Sequence, residues 1–158
     1  MNVRSTVHRL GAVAAAVMLV AAPAPARAGS AVEAYLAKHP GGTAIGDNEI
    51  SYDGGRFVVT LTKPATAAAV VDCPAGWFCF YDRPAFGYPR GRLSDCGWQS
   101  LIPYGWQDRV ESAYYNLSRG SVEFRDYGWP IFTISAAARA DTDVSPYRNR
   151  ATEVYRRC

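Results

Sequence analysis

The stretch Cys73–Cys96, CPAGWFCFYDRPAFGYPRGRLSDC, decides the fold class. It contains three of the four cysteines, and the fourth is Cys158. Its aromatic run Trp77–Tyr81 follows a Pro-Ala-Gly turn and is typical of a strand. Paired cysteines and short aromatic strands in a small chain indicate a disulfide-bonded, all-β domain made for the outside of a cell.

The N-terminus predicts the same compartment. Arg4 and Arg9 accompany an apolar run, 10–22, and Ala26-Arg27-Ala28 places small residues where a signal peptidase cleaves. We therefore predict a secretory signal peptide over residues 1–28 and a secreted, extracellular protein. A membrane-anchoring helix is the alternative, but the run is too short and two prolines follow it. No later segment is apolar for long enough to span a membrane.

The charge balance gives no support to nucleic-acid binding. The chain has 17 Lys and Arg residues and 14 Asp and Glu residues, and three of the bases lie in the predicted signal. The remaining 130 residues carry 14 bases and 14 acids, so they are formally neutral. This length suits one domain with a small extension, and we expect a monomer.

Before Cys73 the pattern predicts one helix and one hairpin. The predicted elements are a helix at 30–39, strands at 48–53 and 56–62, and a connector at 63–72. Ser30 can cap the helix, with Glu33 in its first turn. Asp53-Gly54-Gly55 is a hairpin turn, because glycine accepts a positive φ. Whether this hairpin extends the sandwich or packs against it stays open.

From Cys73 onward, short strands alternate with turn residues. The clearest strands are Trp77–Tyr81, Gly91–Ser94, Val110–Asn116, Ser121–Asp126, Ile131–Ser135 and Val154–Arg157. This spacing is typical of a β-sandwich, and it leaves little room for a helix. We therefore predict two parts in the mature chain: a helix, hairpin and connector at 29–72, and a Greek-key domain at 73–158.

A weak internal repeat favours two copies of one Greek-key unit. Phe80-Tyr81-Asp82 is echoed by Phe124-Arg125-Asp126, and Asp108-Arg109-Val110 is echoed by Asn149-Arg150-Ala151. Chance similarity between strands is the alternative.

Three segments resemble the Greek-key motif of βγ-crystallins in order. Phe80–Gly87 resembles the signature in which four residues separate two aromatics and a glycine follows, and Ser94–Leu101 and Asp108–Ser112 match the rest of the motif. With the predicted signal peptide, the strings CPAGWFC and DCGWQSL are similar to secreted actinomycete proteins of peptidase inhibitor family I36. The similarity also takes in His39–Thr43 and Asn48–Gly55.

This resemblance implies a crystallin-like Greek-key β-sandwich that inhibits extracellular proteases, including metalloproteases, without being an enzyme. A rigid, disulfide-bonded domain suits inhibition, because an ordered loop loses little entropy on binding. The alternative is a non-catalytic extracellular binding or structural module that binds calcium or glycan. The tryptophans Trp77, Trp98, Trp106 and Trp129 favour either a glycan platform or core packing. An enzyme ranks third: 14 acids are available for glycoside chemistry, but none of them stands in an unusual apolar context.

The resemblance also bears on the disulfides. Four cysteines permit three pairings. The similar inhibitors have a local bridge like Cys73–Cys79, which leaves Cys96 for Cys158. A bridge from Cys79 to Cys96 would contradict this assignment.

Microbial βγ-crystallins bind calcium through a D/N-x-x-S/T-S segment, and oxygen ligands suit that ion. The candidate ligands here are Asp108, Ser112, Asn149 and Thr152. Each segment has a Glu at one required position, so the alternative is that Ser112 and Thr152 only hydrogen-bond their own hairpins. No other cofactor is expected.

The sequence offers little for catalysis. After the predicted signal, His39 is the only histidine, and no G-x-S-x-G, P-loop or dinucleotide motif occurs. His39 stands at the predicted helix end, where a cation favours the helix dipole.

Two long segments are candidate protease contacts, Gly97–Gln107 and Ala136–Arg148. The first contains Trp98, Tyr104 and Trp106, residue types that make good interface anchors. The alternative is that both are ordinary connecting arches.

Overall fold

The computed structural model describes residues 30–65 and 71–158. The predicted signal peptide, residues 1–28, lies outside the described residues, as do residues 66–70 of the predicted connector. The described chain consists mostly of strands in two antiparallel sheets, with one short α-helix. This confirms the predicted all-β sandwich. The predicted boundary at residue 72 stays a prediction.

One helix and eleven strands make up the described fold. They are α1 (Ala31–Lys38), β1 (Thr43–Ala44), β2 (Glu49–Tyr52), β3 (Phe57–Thr60), β4 (Trp77–Arg83), β5 (Gly87–Leu93), β6 (Gly97–Ser100), β7 (Ser112–Asn116), β8 (Ser121–Asp126), β9 (Trp129–Ser135), β10 (Ala140–Asp141) and β11 (Glu153–Arg157). Two 3₁₀ turns, Asp53–Gly55 and Ile102–Tyr104, complete the set.

The helix begins with a capping box, as the sequence predicts. The Ser30 hydroxyl accepts a hydrogen bond from the Glu33 N–H at 3.2 Å, and the Glu33 carboxylate accepts one from the Ser30 N–H at 2.7 Å. The buried Val32 fixes the helix to the core.

The N-terminal hairpin extends the larger sheet. β3 pairs antiparallel with β5, and Val59 lies opposite Gly91. The absence of a side chain at Gly91 matters, since a Cβ there would stand 2.3 Å from the Phe80 ring. The question that the sequence left open is therefore settled: the hairpin adds strands to the sandwich.

The strands from β4 to β11 form two interleaved units of four. The larger sheet has the order β1-β2-β3-β5-β4-β7-β10, and the smaller has the order β6-β11-β8-β9. In each unit the first, second and fourth strands lie in one sheet, and the third strand lies in the other sheet. As a result β6 pairs with β11, and β10 pairs with β7. The two units match the two copies that the internal repeat suggested.

The six strands predicted after Cys73 are all present, with some ends moved, and Ile102–Tyr104 is the only helical turn described after residue 72. However, β6 and β10 lie in segments that the sequence predicts as long loops, so that prediction was wrong in part. Strands of four and two residues are too short for a period-two pattern. They form because each finds a partner strand in the opposite unit.

An aromatic core lies between the sheets. Its fully buried rings are Phe57, Phe78, Phe80, Trp106, Tyr115 and Phe124. Phe80 is central, with edge-on contacts to Trp106 at 4.9 Å and to Phe124 at 6.0 Å between ring centroids. Such contacts stabilise the core beyond the burial of apolar area.

The structure has the two disulfides predicted, Cys73–Cys79 and Cys96–Cys158. The first encloses the turn before β4. The second joins the residue before β6 to the residue after β11, so it closes the pairing between the two units.

Replacing both Cys96 and Cys158 by serine should lower the free energy of unfolding by about 4 kcal/mol on the chain-entropy model, because 62 residues separate them. Urea unfolding measures this loss. The slope of the unfolding free energy against urea should rise as well, since the unfolded chain expands without the bridge. An unchanged midpoint would show that the ladder between β6 and β11 holds without the disulfide.

Gly91→Ala should destabilise the fold by about 1–3 kcal/mol, the usual cost of overpacking a core. The new methyl group would overlap the buried Phe80 ring. Gly46→Ala is the matched control, because a Cβ there meets nothing within 4 Å. Equal unfolding midpoints for the two variants would contradict the close packing of β5 on Phe80.

Candidate interaction surface

Apolar exposure concentrates near one part of the molecule. In the described part of the chain the exposed large apolar side chains are Ile45, Trp98, Ile102, Tyr127 and Trp129. Trp129 is 77% exposed and Trp98 is 59% exposed, which is unusual for tryptophan. Large exposed aromatics of this kind are typical of interaction sites.

Strand register places four of these side chains near one end of the smaller sheet. Ser100 of β6 lies opposite Glu153 of β11, and Arg125 of β8 lies between Glu153 and Pro130 of β9. Ser100, Glu153, Arg125 and Pro130 thus form one row across the four strands. Each of the exposed apolar residues except Ile45 is within two positions in sequence of a residue in this row. We call these four side chains, Trp98, Ile102, Tyr127 and Trp129, the sheet-end surface.

A groove of about 230 Å³ runs beside β6. Its walls come from β6, the 3₁₀ turn after it and the β2–β3 turn, and the lining residues are Asp53, Arg56, Leu93, Trp98, Gln99, Ser100, Pro103 and Tyr104. Among the described strands β6 pairs only with β11, and no β11 residue lines the groove. Within the described chain, the groove therefore follows the unpaired edge of β6. Such an edge is able to accept an extended peptide as an added strand.

Trp98 stands on the outer face of the smaller sheet, opposite Tyr155. The guanidinium groups of Arg125 and Arg157 lie 5.7 and 5.1 Å from the Tyr155 ring centroid. Trp98 is therefore an exposed aromatic next to Tyr155, and its role as an interface anchor stays a prediction.

The Tyr104 side chain packs into the wall of the groove and does not project from it. Its ring stacks on the buried Phe57 at 4.2 Å, and its hydroxyl donates a hydrogen bond to Asp53. Burial, together with the Asp53 carboxylate, raises the pKa of Tyr104 to about 12, so the phenol stays a donor near neutral pH. The Tyr35 hydroxyl donates to the Tyr104 carbonyl at 2.8 Å, which ties this turn to α1.

The prediction that Trp106 contacts a partner was wrong. Trp106 is fully buried and packs edge-on against Phe80. The chain turns inward at Gly105, whose φ of 69° is left-handed. The backbone N–H of Trp106 donates a hydrogen bond to the Leu101 carbonyl at 3.1 Å. The Arg109 guanidinium lies 4.8 Å from the indole ring and covers it. An alanine at this position would test the core and not an interface.

An ion pair fixes the far wall of the groove. Arg56 Nε lies 2.5 Å from the Asp95 carboxylate, and this contact raises the pKa of Arg56. The Gln99 side chain donates to the Asp95 carbonyl at 2.8 Å, so the β5–β6 connection is held from both sides.

The second predicted contact segment, Ala136–Arg148, has fewer exposed anchors. It contains β10 and the buried Val144, and Arg148 forms an ion pair with Asp143. None of the large exposed apolar side chains of the described chain falls within it. The first segment, by contrast, contains the exposed Trp98 and Ile102.

The candidate calcium ligands Ser112 and Thr152 hydrogen-bond the backbone of turns distant in the chain, Ser112 at the β4–β5 turn and Thr152 at the β8–β9 turn. Ser112 Oγ accepts from the Phe86 N–H at 3.0 Å and donates to the Arg83 carbonyl at 2.7 Å. Thr152 Oγ1 accepts from the Tyr127 N–H at 2.8 Å. Both hydroxyls therefore have structural partners, but these partners lie in other hairpins and not in their own as the alternative expected.

The other two candidates, Asp108 and Asn149, occupy equivalent left-handed positions, each with a φ of 56°. The Asp108 N–H donates to the Ala151 carbonyl, and the Asn149 N–H donates to the Val110 carbonyl, both at 3.0 Å. Among the described residues no three or more His, Cys, Asp or Glu side chains form a group that could hold a metal. Calcium binding stays a prediction.

The repeated arginines make the same contact in both units. Arg109 pairs with Asp82 at 2.9 Å, and Arg150 pairs with Asp126 at 2.8 Å. Each acid lies on the first strand of its unit and each arginine lies just before the last. The pairs therefore explain why the sequence repeats an acid and an arginine at similar offsets.

His39 has a packing role at the end of the helix. Its ring covers Gly105, where a Cβ would stand 2.2 Å away. Burial, and then the charges of Arg109 and Lys38, lower the pKa of His39. This shift disfavours the protonated form, which is the form that would favour the helix dipole.

The four tryptophans do not form one platform, because Trp106 is buried and Trp77 is half-buried against Arg92. Trp98 and Trp129 both belong to the sheet-end surface, but their strands are the two edges of the smaller sheet. Sequence reasoning missed Ile102 and Tyr127 as surface residues. The Tyr127-Gly128 pair is a turn signal that could have indicated an exposed hairpin tip.

None of the helices described is long and apolar enough to cross a membrane. Comparison with curated proteins and with solved structures gives no match. Comparison with protein families gives the model of peptidase inhibitor family I36, which matches residues 66–128. The match contains β4 to β8, including the β6 edge and Trp98, and it ends one residue before Trp129. Over residues 66–128, the chain is similar to peptidase inhibitor family I36, which supports the resemblance that its motifs indicated.

Proposed function

We propose that this protein is a secreted, monomeric inhibitor of extracellular proteases, with metalloproteases among its targets, that binds tightly and non-covalently through segment Gly97–Gln107. The family match supports protease inhibition in general and points away from an enzyme. The main support for this contact surface is the exposed side chain of Trp98 beside the unpaired edge of β6.

The segment is held rigidly enough to act as an inhibitor. The Cys96–Cys158 disulfide anchors its start, the ladder with β11 holds β6, and the stacking of Tyr104 on Phe57 holds the turn that follows. A surface ordered before binding loses little entropy in the complex. The same order disfavours the extended, flexible conformation that a protease needs for cleavage.

The chemistry of the groove suits a peptide-like partner. The β6 edge offers backbone groups for strand addition, and Trp98 offers an aromatic anchor next to them. Asp53 and Arg56 supply charge of both signs in the lining. Backbone, aromatic and charged contacts of this kind give selective, non-covalent binding.

Titrating the oxidised protein against thermolysin-like, subtilisin-like and trypsin-like proteases should give stoichiometric inhibition of at least one class. Trp98→Ala should weaken that inhibition by about thirtyfold or more, the effect of losing one hot-spot side chain. Ile45→Ala is the matched control, because Ile45 is also exposed but lies outside the family match. Circular dichroism checks that both variants fold.

The outcomes separate the two parts of the proposal. No inhibition of any class would overturn the function itself. Inhibition that Trp98→Ala leaves unchanged would overturn the contact surface, and a loss with Trp129→Ala alone would assign the contact to the β8–β9 turn.

The competing function is a calcium-binding or glycan-binding module. Calcium should then raise the unfolding temperature, because a ligand that binds only the folded state stabilises it. We expect no rise over a chelator control, since Ser112 and Thr152 already hydrogen-bond backbone groups. A calcium-dependent rise that Asp108→Ala abolishes would favour the competing function.

A further inference from the structure

Three arginines share a cleft at the opposite end of the sandwich. The cleft has a volume of about 400 Å³ and is lined by Ala75, Gly76, Asn116, Leu117, Ser118, Arg119, Arg139 and Arg156. It has no acidic side chain in its lining, so its local charge is strongly positive although the mature chain is formally neutral.

These arginines differ from most others in the molecule. In the described chain the arginines with ion pairs are Arg56, Arg90, Arg92, Arg109, Arg125, Arg148 and Arg150. None of the three cleft arginines forms an ion pair with a described residue. Like charges gathered without a counterion repel one another, which destabilises the fold unless an anion binds.

Arg156 is the strongest indication of a built site. It lies on β11 two residues after the buried Val154, at a position that alternation assigns to the core face, and it is only 9% exposed. Its Nε donates to the Tyr115 hydroxyl at 3.5 Å, and its Nη1 donates to the Ser94 carbonyl. Burying an arginine without a carboxylate is costly, because its charge loses hydration.

Tyr115 holds the other two arginines near Arg156. Arg139 Nη1 donates to the Tyr115 carbonyl at 3.0 Å, and the Tyr115 hydroxyl donates to the Arg119 carbonyl at 2.7 Å. Because the Tyr115 ring is fully buried, this frame is fixed. The Arg119 side chain is exposed and has no bonded partner in the described chain, so it is free to close over a ligand.

We propose that this cleft binds a phosphate or sulfate group. Guanidinium groups bind such oxyanions through paired N–H donors, and a doubly charged group compensates three arginines better than one carboxylate does. The group itself would fill a small part of the cleft, which leaves space for a molecule that bears it as an ester. The site is separate from the β6 groove and does not depend on protease inhibition.

Isothermal titration of the oxidised protein with inorganic phosphate, against sodium chloride at equal ionic strength, tests the proposal. One phosphate should bind per chain. Arg119→Gln combined with Arg139→Gln should weaken binding by about tenfold or more, as expected for the loss of charged hydrogen bonds. Both side chains are away from the core, and circular dichroism checks the fold.

Arg83→Gln is the matched control and should leave the affinity unchanged. Arg83 has no ion pair in the described chain and ends β4 at the side opposite to Gly76. Polyphosphate that competes with phosphate and binds more tightly would identify a polymer-borne group, whereas binding of phosphate alone would identify the free ion. Absence of saturable binding, or equal affinity in the double variant, would overturn the site.

Discussion

The pairing of β6 with β11 is the constraint on which the rest of the structure depends. These strands come from different four-strand units, so their ladder and the reciprocal pairing of β10 with β7 make neither unit complete without the other. The Cys96–Cys158 disulfide closes one end of the β6–β11 ladder and restricts the unfolded chain as well. Without this ladder, β6 would have no neighbour and the groove beside it would lose its wall.

A continuous aromatic contact connects the core to that groove. Phe80 lies against Gly91 in the centre and stacks with Phe57, and Phe57 in turn stacks with Tyr104 at the groove. The N-terminal hairpin supplies Phe57 and the β2–β3 turn, so it acts as part of the candidate site and not as an appended segment. This explains why a contact surface inside the family-matched segment depends on residues outside it.

The sequence predicts those features that local chemistry determines. Period-two aromatic strands such as Ser121–Asp126, the Ser30 cap and the Asp53-Gly54-Gly55 turn follow from backbone preferences of the residues themselves. β6 was missed because its four residues become a strand only through a partner that is 53 or more residues away in the chain. Trp98 and Trp106 have similar sequence surroundings, yet one is exposed and the other is buried. Both tryptophans follow a left-handed glycine, Gly97 and Gly105, so the local backbone does not distinguish them. The tertiary packing of Trp106 on Phe80 does.

The two candidate binding sites use different parts of the same ladder. Arg156 lies opposite Gly97, at the end of β6 that faces the cleft, whereas Ser100 pairs with Glu153 near the sheet-end surface. Three residue steps separate these pairs, which is about 10 Å along a strand. Because both strands are paired and joined by a disulfide, an anion in the cleft would stabilise β6 without moving it. A rigid ladder of this kind favours recognition by a preformed surface over recognition by a mobile loop, since the geometry at both ends is set by the same backbone hydrogen bonds.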